Sequence, residues 1–160
     1  MPNWIDSTLK LIVFSTLLLN SNINAEEKYT YGIGLGSLYN GLGGSLSLKG
    51  SNSISYLAIG CPAIGYGSGN GFISTCGLGA GYIKSNIFSK SNKHGIGMHI
   101  GYSYIDNAEV SEFGPQFGLS YVYFVEGIHS KGWNYGLTPT VSRYSNRNNL
   151  TGIFQIGYQY

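Results

Sequence analysis

Regular alternation of large apolar residues with small or polar ones runs through the chain from residue 29 to its end. The cleanest stretch is 96–104, where every even-numbered position is Ile, Met or Tyr and every odd-numbered position is Gly, His or Ser. A period of two is typical of a β-strand whose two faces meet different surroundings. Eight segments show it: 29–36, 45–49, 56–60, 76–82, 96–104, 117–125, 133–142 and 154–160. The alternation therefore predicts an all-β fold with eight strands.

The composition of the two strand faces predicts what surrounds them. One face carries Tyr, Ile, Leu, Phe, Val, Met and Trp, whereas the other carries Gly, Ser, Thr, Asn and Gln. Charged residues make up only 10% of the 160 residues, against about 25% in ordinary soluble domains. A small barrel in lipid needs an apolar outside and a small or polar inside. We therefore predict an eight-stranded antiparallel up-and-down transmembrane β-barrel, with a soluble secreted β-sandwich as the alternative because its strands have the same period.

The same features exclude several function classes. An eight-stranded barrel is just wide enough inside for its own side chains, so we expect no open pore. The net charge of +2, with Lys and Arg scattered singly, gives no footprint for nucleic acid. Two cysteines and three separated histidines lack the spacing of a zinc site. We therefore predict no metal, no cofactor and no nucleic-acid partner.

The first 25 residues have the layout of a secretory signal peptide. Lys10 precedes a nine-residue, largely apolar run at 11–19, which is too short for a membrane helix of about 20 residues and suits a signal-peptide core. Polar residues follow at 20–22, and Ala25 is a small residue before two glutamates. We therefore predict a signal peptide at 1–25, cleaved after Ala25, and a barrel domain at 26–160. The alternative is that 11–19 forms a buried strand or helix of the mature domain.

Asn40-Gly41 is a strong signal for a two-residue β-hairpin turn. A turn centred there would place Leu35 opposite Leu46 and Ile33 opposite Leu48, so that both apolar rows fall on one face of the sheet. With both chain termini at the periplasmic end of the barrel, this turn is expected to face the outside of the cell.

The two cysteines fall opposite each other in a second predicted hairpin. A turn at Ser68-Gly69 would pair Tyr56 with Gly81 and Cys61 with Cys76. Both cysteines lie on the apolar row, in an oxidising compartment where disulfides persist. We predict a Cys61–Cys76 disulfide that staples the hairpin; the alternative is two small buried thiols. Without a C-x-x-C spacing, the pair predicts no redox role.

Aromatic residues gather at the ends of the predicted strands. One rim would carry Tyr29, Tyr31, Trp133, Tyr135, Tyr158 and Tyr160, and the other Phe72, Tyr102, Tyr104 and Phe117. Two aromatic girdles are typical of the two interfaces of a membrane.

The last strand carries a resemblance to a known class of proteins. Phe154, Ile156, Tyr158 and Tyr160 alternate with Gln155, Gly157 and Gln159 up to the final residue. This strand resembles the C-terminal assembly signal of bacterial outer membrane proteins, and 26–160 as a whole resembles the small barrels typified by OmpX and the membrane domain of OmpA. The resemblance implies the cell outer membrane of a Gram-negative bacterium, with outer membrane lipids and the barrel assembly machinery as partners. It says little about function. We also expect a monomer.

His99 is the candidate for polar chemistry in the lumen. It lies on the interior row, between Gly97 and Gly101. We expect a lumen histidine hydrogen-bonded to Ser, Tyr or Gln, rather than a proton-transfer group.

Residues 143–146 resemble an enzyme motif in part. Outer membrane lipid A deacylases of the PagL type are also eight-stranded and carry a His-x-Ser-Asn motif late in the chain. Ser145 and Asn146 match it, but Arg143 stands where the histidine base would be, and arginine cannot accept a proton. We therefore predict no catalytic residue and an integral outer membrane protein of structural or surface role. A lipid-modifying outer membrane enzyme is the alternative.

Overall fold

The chain forms a closed barrel of eight antiparallel strands in which each strand pairs with its sequence neighbours and β8 pairs with β1. The computed structural model describes residues 29–67, 71–87, 90–106, 111–144 and 147–160. The strands are β1 (Tyr29–Leu35), β2 (Leu42–Lys49), β3 (Ser53–Gly67), β4 (Gly71–Ser85), β5 (His94–Asp106), β6 (Ser111–Phe124), β7 (Gly132–Tyr144) and β8 (Arg147–Gln159). The predicted all-β, eight-stranded antiparallel barrel is confirmed. The predicted signal peptide 1–25 and its cleavage point Ala25 lie outside the described residues.

The period of two separates an apolar exterior from a polar interior. Met98 and Leu119 are paired across β5 and β6 and are 52% and 55% exposed on the outer face. Their neighbours His99 and Ser120 point inward and are fully buried. Glycines in the interior row make room for the larger side chains there. Tyr56 faces Gly81, and a Cβ added to Gly81 would lie 2.5 Å from the Tyr56 ring carbon Cζ.

The lower end of the barrel, where β1 begins and β8 ends, has a small apolar core. Its buried side chains come from the lower ends of β3, β4 and β6 and from the β6–β7 connection; they are Ile54, Ile83, Val122, Phe124 and Ile128. Ile128 is held inward because its N–H donates to the Asn92 carbonyl (3.0 Å), while its own carbonyl accepts from Gln159 Nε2 (3.0 Å). This core closes the lumen from below.

The first hairpin differs from the prediction. Tyr31 pairs with Leu46 and Ile33 with Gly44, so the predicted two-residue turn at Asn40-Gly41 is wrong. The ladder ends at Gly36 and Gly41, which exchange two backbone hydrogen bonds of 3.0 and 2.8 Å. Both have positive φ angles, 123° and 93°, which glycine adopts without a steric penalty. The register moves by an even number of residues, so the apolar rows still share one face.

The two strands of this hairpin are short and leave the wall incomplete. β1 and β2 have 7 and 8 residues, whereas the other six strands have 13 to 15. Above the last β1 pair, Leu35 with Ile156, residues 147–155 of β8 pair with β7 alone among the described residues. Above the first β2 pair, Leu42 with Cys61, residues 63–67 of β3 have no partner other than β4 in the described part of the chain. We call the space between these two strand edges the wall gap. Because β1 and β2 are absent at this level, the edges of β8 and β3 are separated by three inter-strand spacings of about 4.8 Å, or roughly 14 Å.

Candidate functional site

The β1–β2 connection folds into the lumen instead of projecting from the barrel. Residues 36–41, which we call the plug, contain a short 3-10 helix, Ser37–Tyr39. The helix is closed by hydrogen bonds from the Tyr39 N–H to the Gly36 carbonyl (3.1 Å) and from the Asn40 N–H to the Ser37 carbonyl (3.2 Å). Asn40 follows in the left-handed conformation (φ 52°), which asparagine tolerates better than most residues. The side chains of residues 37–40 are all buried, so Asn40 is not the exposed turn residue that was predicted.

Tyr39 anchors the plug against the seam between β1 and β8. Its ring lies over three glycines, Gly32 and Gly34 of β1 and Gly157 of β8. A Cβ added at Gly34 would be 2.7 Å from the ring carbon Cε2, and one at Gly157 would be 2.6 Å from the hydroxyl oxygen. That hydroxyl also accepts a hydrogen bond of 2.6 Å from Asn134 Nδ2. Only glycine at these positions lets the ring approach the wall this closely.

A closed hydrogen-bond network joins the plug to β6, β7 and β8. The Ser37 hydroxyl lies 3.2 Å from Ser120 Oγ and 2.7 Å from Thr138 Oγ1. Gln155 Oε1 accepts from the Leu38 N–H at 3.2 Å. On its other side, Gln155 Nε2 donates 2.9 Å to Asn134 Oδ1. On this side of the lumen, the buried polar groups of the plug find partners on the wall.

Next to this network, β5 and the upper part of β6 carry buried polar atoms that are unpaired. Among the described residues, four buried side-chain atoms in or near β5 and its partner positions have no hydrogen-bond partner: Asn40 Oδ1, His99 Nε2, Ser103 Oγ and Gln116 Nε2. A Cβ added at Gly101 would lie 3.2 Å from His99 Nε2 and 3.3 Å from Asn40 Oδ1, and Gln116 is the cross-strand partner of Gly101. We call these four residues the polar cluster. Each unpaired buried atom costs about 1–3 kcal/mol, so four together call for a physical explanation.

His99 is thus placed on the interior row, as the alternation predicted. Its Nδ1 lies 3.1 Å from the Tyr56 hydroxyl, and the two rings stack at 6.2 Å. The Tyr56 contact is of the predicted kind, a hydroxyl partner inside the lumen. The unpaired Nε2 was not predicted, because the plug residue beside it comes from a distant part of the chain.

The polar cluster lies across the lumen from the wall gap. β5 and β6 are four strands away from β1 and β2 in the closed order. Cross-strand partners can be followed around the barrel from the top of the short hairpin to β5. From Leu42 they lead through β3 and β4 to Tyr104, and from Leu35 they lead through β8, β7 and β6 to His94. Because barrel strands are tilted, the true level of the hairpin top lies midway between them, at His99. Ser103 and Gln116 are therefore above the plug, on the wall that faces the gap.

Cys61 and Cys76 form a disulfide at the edge of the gap. The predicted pairing of Tyr56 with Gly81 is confirmed, and the register slips by one residue between Gly60 and Ala63. Cys61 pairs with Leu42, the first residue of β2, so the disulfide joins β3 to β4 at the level where β3 loses its other neighbour. It holds an edge strand to the rest of the sheet. The predicted turn at Ser68-Gly69 lies outside the described residues.

Aromatic side chains meet at both ends of the outer face. At the lower end Tyr31 stacks on Tyr160 at 4.9 Å, and Trp133 contacts Tyr158 edge-on at 5.6 Å. At the upper end Tyr102 stacks on Phe113 at 5.5 Å. The Phe72 side chain lies outside the part of the structure that is described.

The predicted assembly signal is the strand that closes the barrel. Phe154 and Ile156 are exposed on the outer face, Tyr158 is half-buried and Tyr160 is exposed. The Tyr160 N–H donates 2.8 Å to the Tyr31 carbonyl, and the Thr30 hydroxyl donates to the Tyr160 carbonyl. The last residue is therefore fixed to the first strand. Whether it is read during assembly stays a prediction.

The residues with enzyme-like chemistry do not assemble into a site within the described part of the chain. Ser145 and Asn146 lie outside the described residues, and Arg143 is exposed near the end of β7. His94 Nδ1 is 2.8 Å from the Tyr121 hydroxyl, and His129 Nε2 is 3.0 Å from the Ser51 carbonyl. Among the described residues, no three His, Cys, Asp or Glu side chains are grouped so that they could hold a metal ion. The same residues contain no helix that is long and apolar enough to cross a membrane.

No protein-family model, curated protein or solved structure matches this chain.

Proposed function

We propose that this chain is an integral outer membrane β-barrel with a structural or surface role, exported by a signal peptide at 1–25. The observation that supports this proposal most strongly is the apolar character of the outer face. Large apolar and aromatic side chains stand 40 to 79% exposed around the described barrel, with Leu150 and Phe154 the most exposed. A soluble monomer rarely exposes a continuous apolar surface of this size. Lipid chains would cover it without cost.

Strand length supports the same proposal. The six longer strands have 13 to 15 residues, more than the about 9–11 that a tilted strand needs to cross a bilayer. The aromatic contacts at the upper and lower ends fit two interfaces. Closure of the barrel leaves β8 paired with β1, as an apolar surrounding requires.

The filled lumen favours a structural or surface role over solute conduction. The plug crosses the lumen at mid-height, and the apolar core around Ile128 closes it from below. Outer membrane lipids and the barrel assembly machinery are the proposed partners, and the proposed state is a monomer.

Cysteine accessibility in intact cells tests this proposal. Cys61 and Cys76 are bonded to each other, so a single introduced cysteine gives a clean signal. Asn148 lies at the upper end and Asn92 at the lower end, and both are exposed. We expect Asn148→Cys to react with a membrane-impermeant maleimide on whole cells, and Asn92→Cys to react only after lysis. Equal labelling of both, or recovery of the protein in the soluble fraction, would contradict the proposal.

A further inference from the structure

We propose that the barrel binds an anionic phospholipid at the β1–β8 junction, with an acyl chain in an apolar groove on the outer face and its phosphate at Lys131. The inference rests on the proposed function, since the ligand would come from the surrounding membrane. Three features support it: the distribution of charge between the two ends of the barrel, the position of Lys131 and the groove itself.

The first feature is the positive charge of the lower end. In the part of the chain that the structure describes, every lysine lies at this end, close to a strand end or in a connection: Lys49, Lys84, Lys90, Lys93 and Lys131. Glu126 is the only acidic residue at this end among the same residues. The described part of the upper end has two acidic and two basic residues: Asp106, Glu112, Arg143 and Arg147. The lower end therefore attracts anions more strongly than the upper end does.

The second feature is the position of Lys131 relative to the aromatic residues. Lys131 is exposed and precedes Trp133 by two residues, so that their Cα atoms are no more than about 7 Å apart. The β7–β8 ladder has Gly132 opposite Gln159 as its lowest pair, and Lys131 and Tyr160 are the next residues beyond it. Aromatic rings are enriched at the level of the lipid headgroups. A lysine just beyond them extends its ammonium group into the phosphate layer.

The third feature is the apolar groove above Lys131, which we call the seam groove. It follows the β1–β8 junction and has a volume of about 700 Å³, within the range of ligand-binding sites. Trp133 and Tyr160 lie at its lower end, while Leu35 and Leu42 are the residues where the two short strands end. Its lining includes Ile33, Leu35, Leu42, Trp133, Ile156 and Tyr160. The groove therefore runs along the strands, in the direction in which acyl chains cross a leaflet.

The order of chemical groups along this path matches that of a phospholipid. Aliphatic side chains such as Leu35 come first, the rings of Trp133 and Tyr160 follow, and the charge of Lys131 comes last. A neutral lipid would cover the seam groove but leave the lysine without a counterion. A free phosphate or an acidic polypeptide would pair with the lysine but leave the groove uncovered. A lipid with a net negative charge satisfies both.

Quenching of tryptophan fluorescence tests the inference, because Trp133 lines the seam groove. The full chain with Trp4→Phe has Trp133 as its only tryptophan. It is reconstituted in vesicles of equal parts phosphatidylcholine and phosphatidylglycerol, in which one lipid or the other carries bromine on its chains. We expect brominated phosphatidylglycerol to bind beside Trp133 about fivefold more tightly than brominated phosphatidylcholine, as one lysine near an anionic lipid predicts.

Two lysine variants distinguish a site from a general attraction to the leaflet. Lys131→Gln should lower the fivefold preference to about onefold. Lys84→Gln is the matched control, because Lys84 is also exposed at the lower end and follows Tyr82 by two residues. It lies on β4, four strands away from β8 in the closed order. At physiological ionic strength this separation exceeds the screening length of about 8 Å, so the preference at Trp133 should not change.

A variant of opposite charge effect should strengthen binding. Glu126 is exposed and close to the start of β7, since a Cβ added at Gly132 would lie 3.2 Å from Glu126 Cγ. Its carboxylate would repel a phosphate at Lys131. We expect Glu126→Gln to raise the preference for phosphatidylglycerol by about twofold or more, a gain that a misfolded variant could not produce.

A groove variant tests the chain half of the site. Ile156→Phe adds bulk to the lining of the seam groove and should lower the preference at least twofold. Leu57→Phe is its control, because Leu57 is exposed on the outer face of β3 and does not line the groove. Heat-modifiable gel mobility verifies that each variant is folded.

Four outcomes would count against the inference. Equal binding of the two brominated lipids to the wild type would overturn it, and so would an equal loss of preference in Lys84→Gln and Lys131→Gln. Loss of the preference when polyglutamate is present on both sides of the membrane, at constant ionic strength, would assign Lys131 to an acidic polypeptide. If neither brominated lipid quenches Trp133, the seam groove does not face lipid and the proposed function itself is wrong.

Discussion

Gly157→Ala tests the packing of the plug most sharply. Gly157 lies on the interior face of β8, and the ring of Tyr39 fills the space that a side chain at this position would need. A methyl group there would fall within 2.6 Å of the Tyr39 hydroxyl oxygen and closer still to the ring carbons Cε2 and Cζ. The ring has little room to retreat, because it is fully buried and its hydroxyl accepts a hydrogen bond of 2.6 Å from Asn134 Nδ2. Overpacking of this kind costs about 1–3 kcal/mol.

A matched control exists on the same strand. Gly152 faces outward, and the nearest atom to an added Cβ is Leu137 Cδ1 at 4.0 Å. Gly152→Ala should therefore be neutral or slightly stabilising, since alanine also restricts the unfolded chain. Both variants are compared with the wild type by urea unfolding of the reconstituted protein, followed by tryptophan fluorescence and gel mobility.

The second half of the test is a double-mutant cycle. Tyr39→Ala alone should cost about 3–5 kcal/mol, as expected for a fully buried aromatic ring. In that background Gly157→Ala meets no ring, so its penalty should disappear and leave a coupling of about 1–3 kcal/mol. A Gly157→Ala penalty equal to that of Gly152→Ala, or one that persists without Tyr39, would refute the packing described for the plug.

Three further predictions concern the network, the disulfide and the closing strand. Gln155→Leu removes partners of the plug and of β7 and should lower the unfolding free energy by about 2–4 kcal/mol. Thr151→Val, at an exposed position four residues away on the same strand, should leave the unfolding free energy unchanged; urea titration measures both. Replacing Cys61 and Cys76 together by serine should lower the free energy of unfolding by about 3 kcal/mol for a link of this span. Reduction of the wild-type disulfide should have the same effect, and a wild-type urea midpoint that stays unchanged on reduction would contradict this. Deleting Tyr158–Tyr160 removes the β8 end that pairs with β1; we expect exported but unassembled protein, and a normal level in the outer membrane fraction would show that the closing pair is dispensable.

The alternation of apolar and small residues predicted most of the fold, because it depends only on which residues share a face of the sheet. It placed His99 inside and Met98 outside without any knowledge of strand partners. It also paired Tyr56 with Gly81, where a turn signal and the side-chain sizes agreed. Each of these inferences needs information only from residues that are close in sequence.

The plug could not be predicted in the same way. The two alternative registers of the first hairpin differ by an even number of residues, so both keep the apolar rows together. The choice depends on Tyr39 fitting against Gly157, which is more than one hundred residues away in the chain. One local signal was present: Leu38 and Tyr39 are adjacent apolar residues that break the alternation, between the flexible positions Gly36 and Gly41. Such a break indicates a segment that leaves the strand.

The polar cluster and the wall gap were missed for related reasons. The cluster needs Asn40 from the plug beside His99 of β5, and their proximity follows only from the closed barrel. The gap arises because the alternation in β3 and β8 continues past the ends of β1 and β2. Strand length alone says nothing about which neighbour is absent at each level.

The central claim, that the apolar face is covered by lipid, is tested most directly by one substitution on that face. Leu119 is 55% exposed near the middle of β6. In phospholipid vesicles Leu119→Arg should lower the unfolding free energy by about 2–4 kcal/mol, because the charge would sit near the bilayer midplane. Asn92→Arg, on the exposed connection at the lower end, serves as the control and should change it by less than about 0.5 kcal/mol. A Leu119→Arg variant as stable as the control would mean that water, not lipid, surrounds this barrel.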